Sequence, residues 1–241
     1  MASRMGAEAT ASDSRWEAEQ HGALGMERIL AFSDGVFAIV ITLLALEIKV
    51  PELEAAHIAT DLVPAVWALA PTIISHALSF ALLGIYWIAH HALFRMIERW
   101  DRNLLWLNIL FLLFVASMPF PTGLVIRYSN AQISYLIFCA VLILAGLSLV
   151  LMWWYAAKDR RLLSEAVANE TIRDTYRRGL LAPVLYLVAA LLSFVSLNVT
   201  KVTLALIVLI YIIPNPLTRV SRHSHHGTHV YPAVQGNTDK E

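Results

Sequence analysis

The sequence predicts an all-α integral membrane protein with six transmembrane helices, and three observations carry that expectation. Apolar residues make up 58% of 241 and charged residues only 15%, with a mean hydropathy of +0.62. A soluble domain carries about 45–50% apolar and about 25% charged residues. The excess is gathered in blocks that reach the ~20 residues a helix needs to cross ~30 Å of hydrocarbon. The Lys and Arg residues, finally, fall almost wholly between alternate blocks, as expected of a multi-pass chain.

The first block, 29–48, follows a polar stretch (1–26) that alternates in charge. That stretch has no basic start, apolar core and small-residue cleavage site, so it reads as a cytoplasmic tail and not a signal peptide. The second block, 71–94, is preceded by Pro64 and headed by Pro71, residues suited to a helix's first turn, and its start can reach back to Asp61. The third, 104–125, carries Asn108 and Pro119; the fourth, 133–155, holds Cys139, the one cysteine, so neither a disulfide framework nor a zinc pattern is present. Residues 162–178 are polar with few helix breakers and predict a cytoplasmic helix at the membrane surface. The fifth and sixth blocks, 180–197 and 199–217, are separated only by Asn198, Thr200 and Lys201 and predict a tight hairpin. No span is expected to be broken at mid-membrane, and no internal repeat is visible. The chain thus divides into a polar tail (1–26), a transmembrane domain (27–218) and a second polar tail (219–241). The last contains His223, His225, His226 and His229, a composition that hints weakly at metal binding and reads more simply as a disordered tail.

Charge sets the orientation. With the N-terminus in the cytoplasm, only Lys49, Arg127 and Lys201 of the 18 Lys and Arg residues lie outside. The first outer loop is acidic, with Glu47, Glu52, Glu54 and Asp61. Both termini are therefore expected in the cytoplasm of a cell (inner or plasma) membrane, which six spans satisfy.

The segment Arg28-Ile29-Leu30-Ala31-Phe32-Ser33-Asp34 opens the first span. Ionisable groups at a bilayer edge are costly and usually have partners or a job. Arg28, Phe32 and Gly35 follow i, i+4, i+7 and share a helical face, and Arg28 and Asp34 are expected to be stacked at one depth. The topology brings His90, at the inner end of span two, and Asn108, one turn into span three, to the same level. The plainer role of such groups is interhelical hydrogen bonding. The functional alternative is a proton- or ion-sensitive brace, because imidazole titrates near neutral pH.

These residues resemble the signature of the transmembrane protein 175 family, which includes the lysosomal potassium channel of animals and single-repeat prokaryotic relatives. Arg28-x-x-x-Phe32-Ser33-Asp34 is its span-opening motif; Trp87-x-x-His90 with Leu93-Phe94, then Asn108 and Pro119, are similar to the family pattern in the same order. The resemblance covers about residues 27–121 and departs from the pattern at 46–51. It implies a cation channel without a carbonyl filter, whose first span lines the pore with an aliphatic constriction. It also implies that a single-repeat chain assembles as a homotetramer.

On this chain the implied lining is Ile39, Thr42, Leu43 and Leu46, at i, i+3, i+4, i+7. Without the resemblance, that stripe would read as plain helix packing. The expected function is a potassium-selective cation channel in the lipid bilayer that passes monovalent cations. K⁺ would rest transiently near Thr42, and no resident metal, cofactor, catalytic residue or nucleic-acid partner is expected. The competing readings are a proton-coupled secondary transporter or proton-permeable channel using Asp34 and His90, and a membrane enzyme using Asp34, His90 and His91. The first lacks visible broken helices and inverted repeats; the second lacks metal-ligand spacing and further carboxylates.

Overall fold

The computed structural model describes residues 2–46 and 48–213, with side chains from Leu24 onward apart from Ala56. Glu47, the basic residues beyond Leu217 and the histidines of the C-terminal tail lie outside the described residues. The chain is all-α: α1 (Ala2–Ala45), α2 (Ile58–Ala68), α3 (Ala70–Phe94), α4 (Arg102–Ala116), α5 (Pro119–Arg127), α6 (Gln132–Ala157), α7 (Asn169–Leu192) and α8 (Leu197–Ile212). Five stretches are long and apolar enough to cross a membrane, namely Leu24–Ala45, Ile58–Phe94, Arg102–Arg127, Gln132–Arg160 and Asn169–Leu192. The sixth expected crossing is α8, 16 residues long within the described part.

Three elements differ from the sequence expectation. The third span is two helices, α4 and α5, divided at Ser117 and Met118. Pro119 and Pro121 have no N–H to give to the α4 ladder, so α4 ends and a new helix starts with both prolines in its first turn, where no N–H is needed. The backbone groups are not orphaned: the Ser117 N–H donates to the Leu113 carbonyl and the Met118 N–H to that of Val115, both at 3.1 Å. The surface helix expected over 162–178 does not exist as a separate element. Residues 161–168 are turns and extended chain, and α7 begins at Asn169 and runs on into the fifth span. The loop is held because Leu162 and Leu163 point into the core, where Ile97 and Leu163 form an isolated antiparallel bridge. The α7–α8 hairpin turns at 193–196, earlier than expected, and Thr200 sits inside α8 with its hydroxyl donating to the Ala189 carbonyl at 3.3 Å.

α6 is the axis of the fold, packing most extensively on α7 and α4. Its buried side chains Tyr135, Phe138, Leu142, Ala145, Leu149, Met152 and Ala156 alternate three and four apart, which is the stripe a helix needs to seat against neighbours. Lipid is as apolar as leucine, so this packing draws on close contact and not on exclusion from water. Gly146 shows how close it is: a Cβ there would lie 2.7 Å from Pro183 Cγ on α7.

The part of α1 near Gly25 and the starts of α4 and α7 meet the ends of α3 and α6 at one end of the bundle. Asp101 caps α4 there, accepting the Leu104 N–H at 2.8 Å and the Tyr155 hydroxyl at 2.6 Å, with the Arg161 Nε at 3.9 Å. Partial burial acts to raise the Asp101 pKa, yet these partners hold its carboxyl below the usual carboxylate range. Just after α6, Asp159 and Arg160 take left-handed backbone conformations with φ of 55° and 54°. Each costs about 1–2 kcal/mol outside glycine. The Arg160 guanidinium holds the turn closed by donating to the Val167 carbonyl at 2.6 Å, the Glu165 carbonyl at 3.1 Å and Asn169 Oδ1 at 2.9 Å.

Candidate functional site

α1 packs chiefly on α3, α4 and α5, and its two long faces differ. Ile29, Ser33, Phe37, Val40 and Leu44 are buried at spacings of four, four, three and four, one continuous stripe against the bundle. The opposite face has no neighbour among the described residues. Phe32 and Ile39 are each 60% exposed and Leu46 is 66% exposed, with Arg28, Thr42 and Leu43 exposed beside them. Ile39 and Leu46 lie about 20° apart around the helix and ~10 Å apart along it, with Thr42 and Leu43 between. A Cβ built at Gly35, on the same face, would meet nothing within 4 Å. The four residues expected to line a pore therefore share one outward surface.

Thr42 is set in a particular way there. Its hydroxyl donates to the Ile39 carbonyl at 2.8 Å, which uses its only hydrogen. The oxygen keeps lone pairs that can accept from, or coordinate, what approaches the exposed face.

The buried face carries a bond chain. Ser33 is 0% exposed, His90 1% and Asn108 2%. The Ser33 hydroxyl donates to the Ile29 carbonyl at 2.9 Å, so its oxygen can only accept from Asn108 Nδ2, 3.0 Å away. That fixes the amide, whose Oδ1 then faces His90 Nε2 at 2.9 Å. Nε2 must carry the ring proton, since Oδ1 has none to give. Aromatic rings hold the imidazole in place: Phe111 stacks on it with centroids 5.3 Å apart and 8° between planes, and Phe94 approaches to 4.4 Å. One hydrogen-bonded line thus joins α1, α4 and α3.

Of the four residues expected at one level, Asn108 and His90 meet and Arg28 and Asp34 do not join them; Ser33, from the span-opening motif, completes the line instead. Arg28 and Asp34 form no ion pair with each other among the described residues. Six positions apart, they point about 120° away from one another around the helix. Asp34 instead accepts the Trp87 indole N–H at 2.7 Å. Trp87, stacked on His91 with centroids 5.8 Å apart, is the site residue whose role the sequence did not reveal. Its place three residues before His90, on a neighbouring face of α3, is the one available signal. His76 was also missed: its Nδ1 lies 3.1 Å from the Leu44 carbonyl and ties the far end of α1 to α3. Among the described residues no cluster of metal ligands occurs.

Comparison with known proteins agrees with these motifs. Residues 28–119 match the family model of the endosomal/lysosomal potassium channel TMEM175. A potassium channel of Streptomyces collinus is 34% identical over 188 residues, covering 76% of this chain and 90% of that protein. The human endosomal/lysosomal proton channel TMEM175 is 35% identical over 142 residues, covering 55% of this chain and 28% of that one. Among solved structures, a lysosomal potassium-selective channel TMEM175 homolog from Chamaesiphon minutus superposes with a TM-score of 0.68 at 32% identity, covering 77% of this chain and 95% of that one.

Proposed function

The chain belongs to the TMEM175 family of multi-pass membrane channels, and from that premise we propose that it is a potassium-conducting cation channel formed by four copies around the exposed face of α1. It is a channel and not an enzyme. One observation carries the pore reading: Ile39, Thr42, Leu43 and Leu46 form a surface that the described residues of this chain leave uncovered. One helix cannot enclose water, but a closed ring of identical helices can. Four Ile39 side chains would close such a ring by bulk and dewetting, and four Thr42 oxygens would replace part of an ion's water shell. Arg28 supports the assembly as well, because a charge left on this outer face at the edge of the membrane calls for a partner on a neighbouring copy.

The positive-inside count supports cytoplasmic termini. The described Lys and Arg side chains gather near Arg28 of α1 and where α4 and α7 begin, leaving Lys49, Arg127 and Lys201 at the other end. Single-channel recording from purified protein in a planar bilayer tests the function. Discrete openings with a K⁺-dependent reversal potential are expected, whereas coupled flux without unitary current would refute it. Because the animal relatives are named proton channels, the same recording in a pH gradient tests proton permeation as the second reading.

A further inference from the structure

The end of the bundle rich in Lys and Arg contains a cavity of about 470 Å³ between the last turns of α6 and the first turns of α7. That volume lies in the range of small-molecule sites, about 300–1,000 Å³. Its floor is the buried Trp153 indole, which is fixed by donating Nε1–H to the Ile172 carbonyl at 3.2 Å. Trp154 and Tyr176 stand at its sides with their rings exposed. Three cations line it, Lys158, Arg160 and Arg173, against Asp159 as the one carboxylate among the described lining residues.

Each cation is differently prepared. Lys158 Nζ lies 5.3 Å from the Trp154 ring centroid, held by the ring face. Arg160 gives its hydrogens to neutral carbonyls and the Asn169 amide oxygen, which fixes its position and leaves its charge uncompensated. Arg173 is exposed in the second turn of α7. Neither Lys158 nor Arg173 is ion-paired among the described residues. The left-handed turn at Asp159 and Arg160 forms the rim, and strain of that kind tends to be kept where a site needs it.

Two further features point to the ligand. Indole and phenol rings gather at the depth of lipid headgroups, and this cavity lies at the end of the Gln132–Arg160 span. An exposed apolar stripe on α6, Leu144, Leu147 and Leu151, runs along the helix directly to Trp154. We propose that the cavity binds a phosphate-bearing anion, with the phosphate held among Lys158, Arg160 and Arg173. If the phosphate belongs to a lipid, the stripe on α6 takes an acyl chain. Cations beside an apolar wall suit an anionic phospholipid, and the Arg173 guanidinium fork matches phosphate oxygens while Arg160 adds its charge. This inference does not depend on conduction.

The test uses purified full-length protein and native mass spectrometry with phosphatidylglycerol or phosphatidylcholine added. Wild type is expected to retain phosphatidylglycerol in preference, and Lys158→Gln/Arg173→Gln to bind it about tenfold more weakly. Arg160 is left alone because it holds the loop together. Arg95→Gln/Arg99→Gln, which removes the same charge from the same end outside the cavity, should change nothing. Millimolar inorganic phosphate separates the sources: displacement of the lipid assigns the site to free phosphate as well, and no displacement assigns it to the lipid headgroup. Equal retention by wild type and the Lys158/Arg173 variant, or an equal loss in the Arg95/Arg99 variant, overturns the proposal. Arg173→Glu places a carboxylate against the phosphate and should abolish retention while the protein still elutes at the wild-type size.

Discussion

Asn108 is the residue on which three helices depend, because it is buried and accepts from one partner while donating to another. Asn108→Ala would strand Ser33 Oγ and His90 Nε2 together, and each stranded group costs about 1–3 kcal/mol. The expected loss is about 2–5 kcal/mol, measured as a lower denaturation midpoint of the purified protein in detergent. His90→Gln keeps a donor near the Nε2 position and should lose much less. On the opposite face of α1 the consequences are for permeation. Ile39→Asn should wet the proposed constriction, raise the resting cation leak and weaken discrimination between K⁺ and Na⁺. Thr42→Val removes the oxygen at nearly constant volume and should lower selectivity without a leak. Unitary current and reversal potential measure both. If Ile39→Asn lowers expression while surviving channels conduct normally, Ile39 is a packing residue and the pore assignment falls. The meeting of Asn108 and His90 was legible because topology alone sets the two groups at one depth; the part Ser33 plays was not, although it lies in the motif that opens the span. The exclusion of Arg28 was legible in principle too, since five positions turn it about 140° from Ser33. The bond from Trp87 to Asp34 was not, because contacts between separate helices leave no local spacing to read.

At the scale of elements, the spans were readable because lipid demands about 20 apolar residues per crossing, a rule with few exceptions. The division of α4 from α5 was missed for the complementary reason. Proline within a span is tolerated when neighbours re-satisfy the backbone, so its presence does not decide between a kink and a break. The loop between α6 and α7 was misread because its polarity and lack of breakers suggest a helix, while Leu162 and Leu163 are drawn into the core instead. The joint at Asp101 makes a testable prediction. Its folded pKa lies below the unfolded value of about 3.8, so its contribution is fully present above that value and is lost as pH falls through the folded pKa. Below about pH 4 the α4–α6 joint should weaken progressively. Asp101→Asn should flatten that part of the pH–stability profile, measured by thermal denaturation between pH 3 and pH 6.

For the whole molecule, the question is what the uncovered face of α1 meets. Arg28→Ala and Asp34→Ala should each impair assembly before altering permeation, since neither charge is buried within its own chain. Light scattering of the purified variants checks this, and a full-size oligomer with wild-type current would remove the charges from the interface. Orientation can be read on intact cells with a membrane-impermeant thiol reagent, because the natural cysteine, Cys139, is buried. A cysteine replacing Glu54 should label from outside, and one replacing Ser164 should not.

The two faces of α1 also make deletions and insertions more dangerous than substitutions. Removing one residue from 34–37 would leave the inner end anchored by its bond to Asn108 and turn everything beyond it by about 100°. Ala38, Ile41 and Ala45 would then face the core in place of Phe37, Val40 and Leu44, opening voids. The outward stripe would read Val40, Leu43, Leu44 and Glu47, bringing a carboxylate to the rim of the proposed pore. A lost codon here would thus damage both faces at once, and none of the remaining residues would have changed identity.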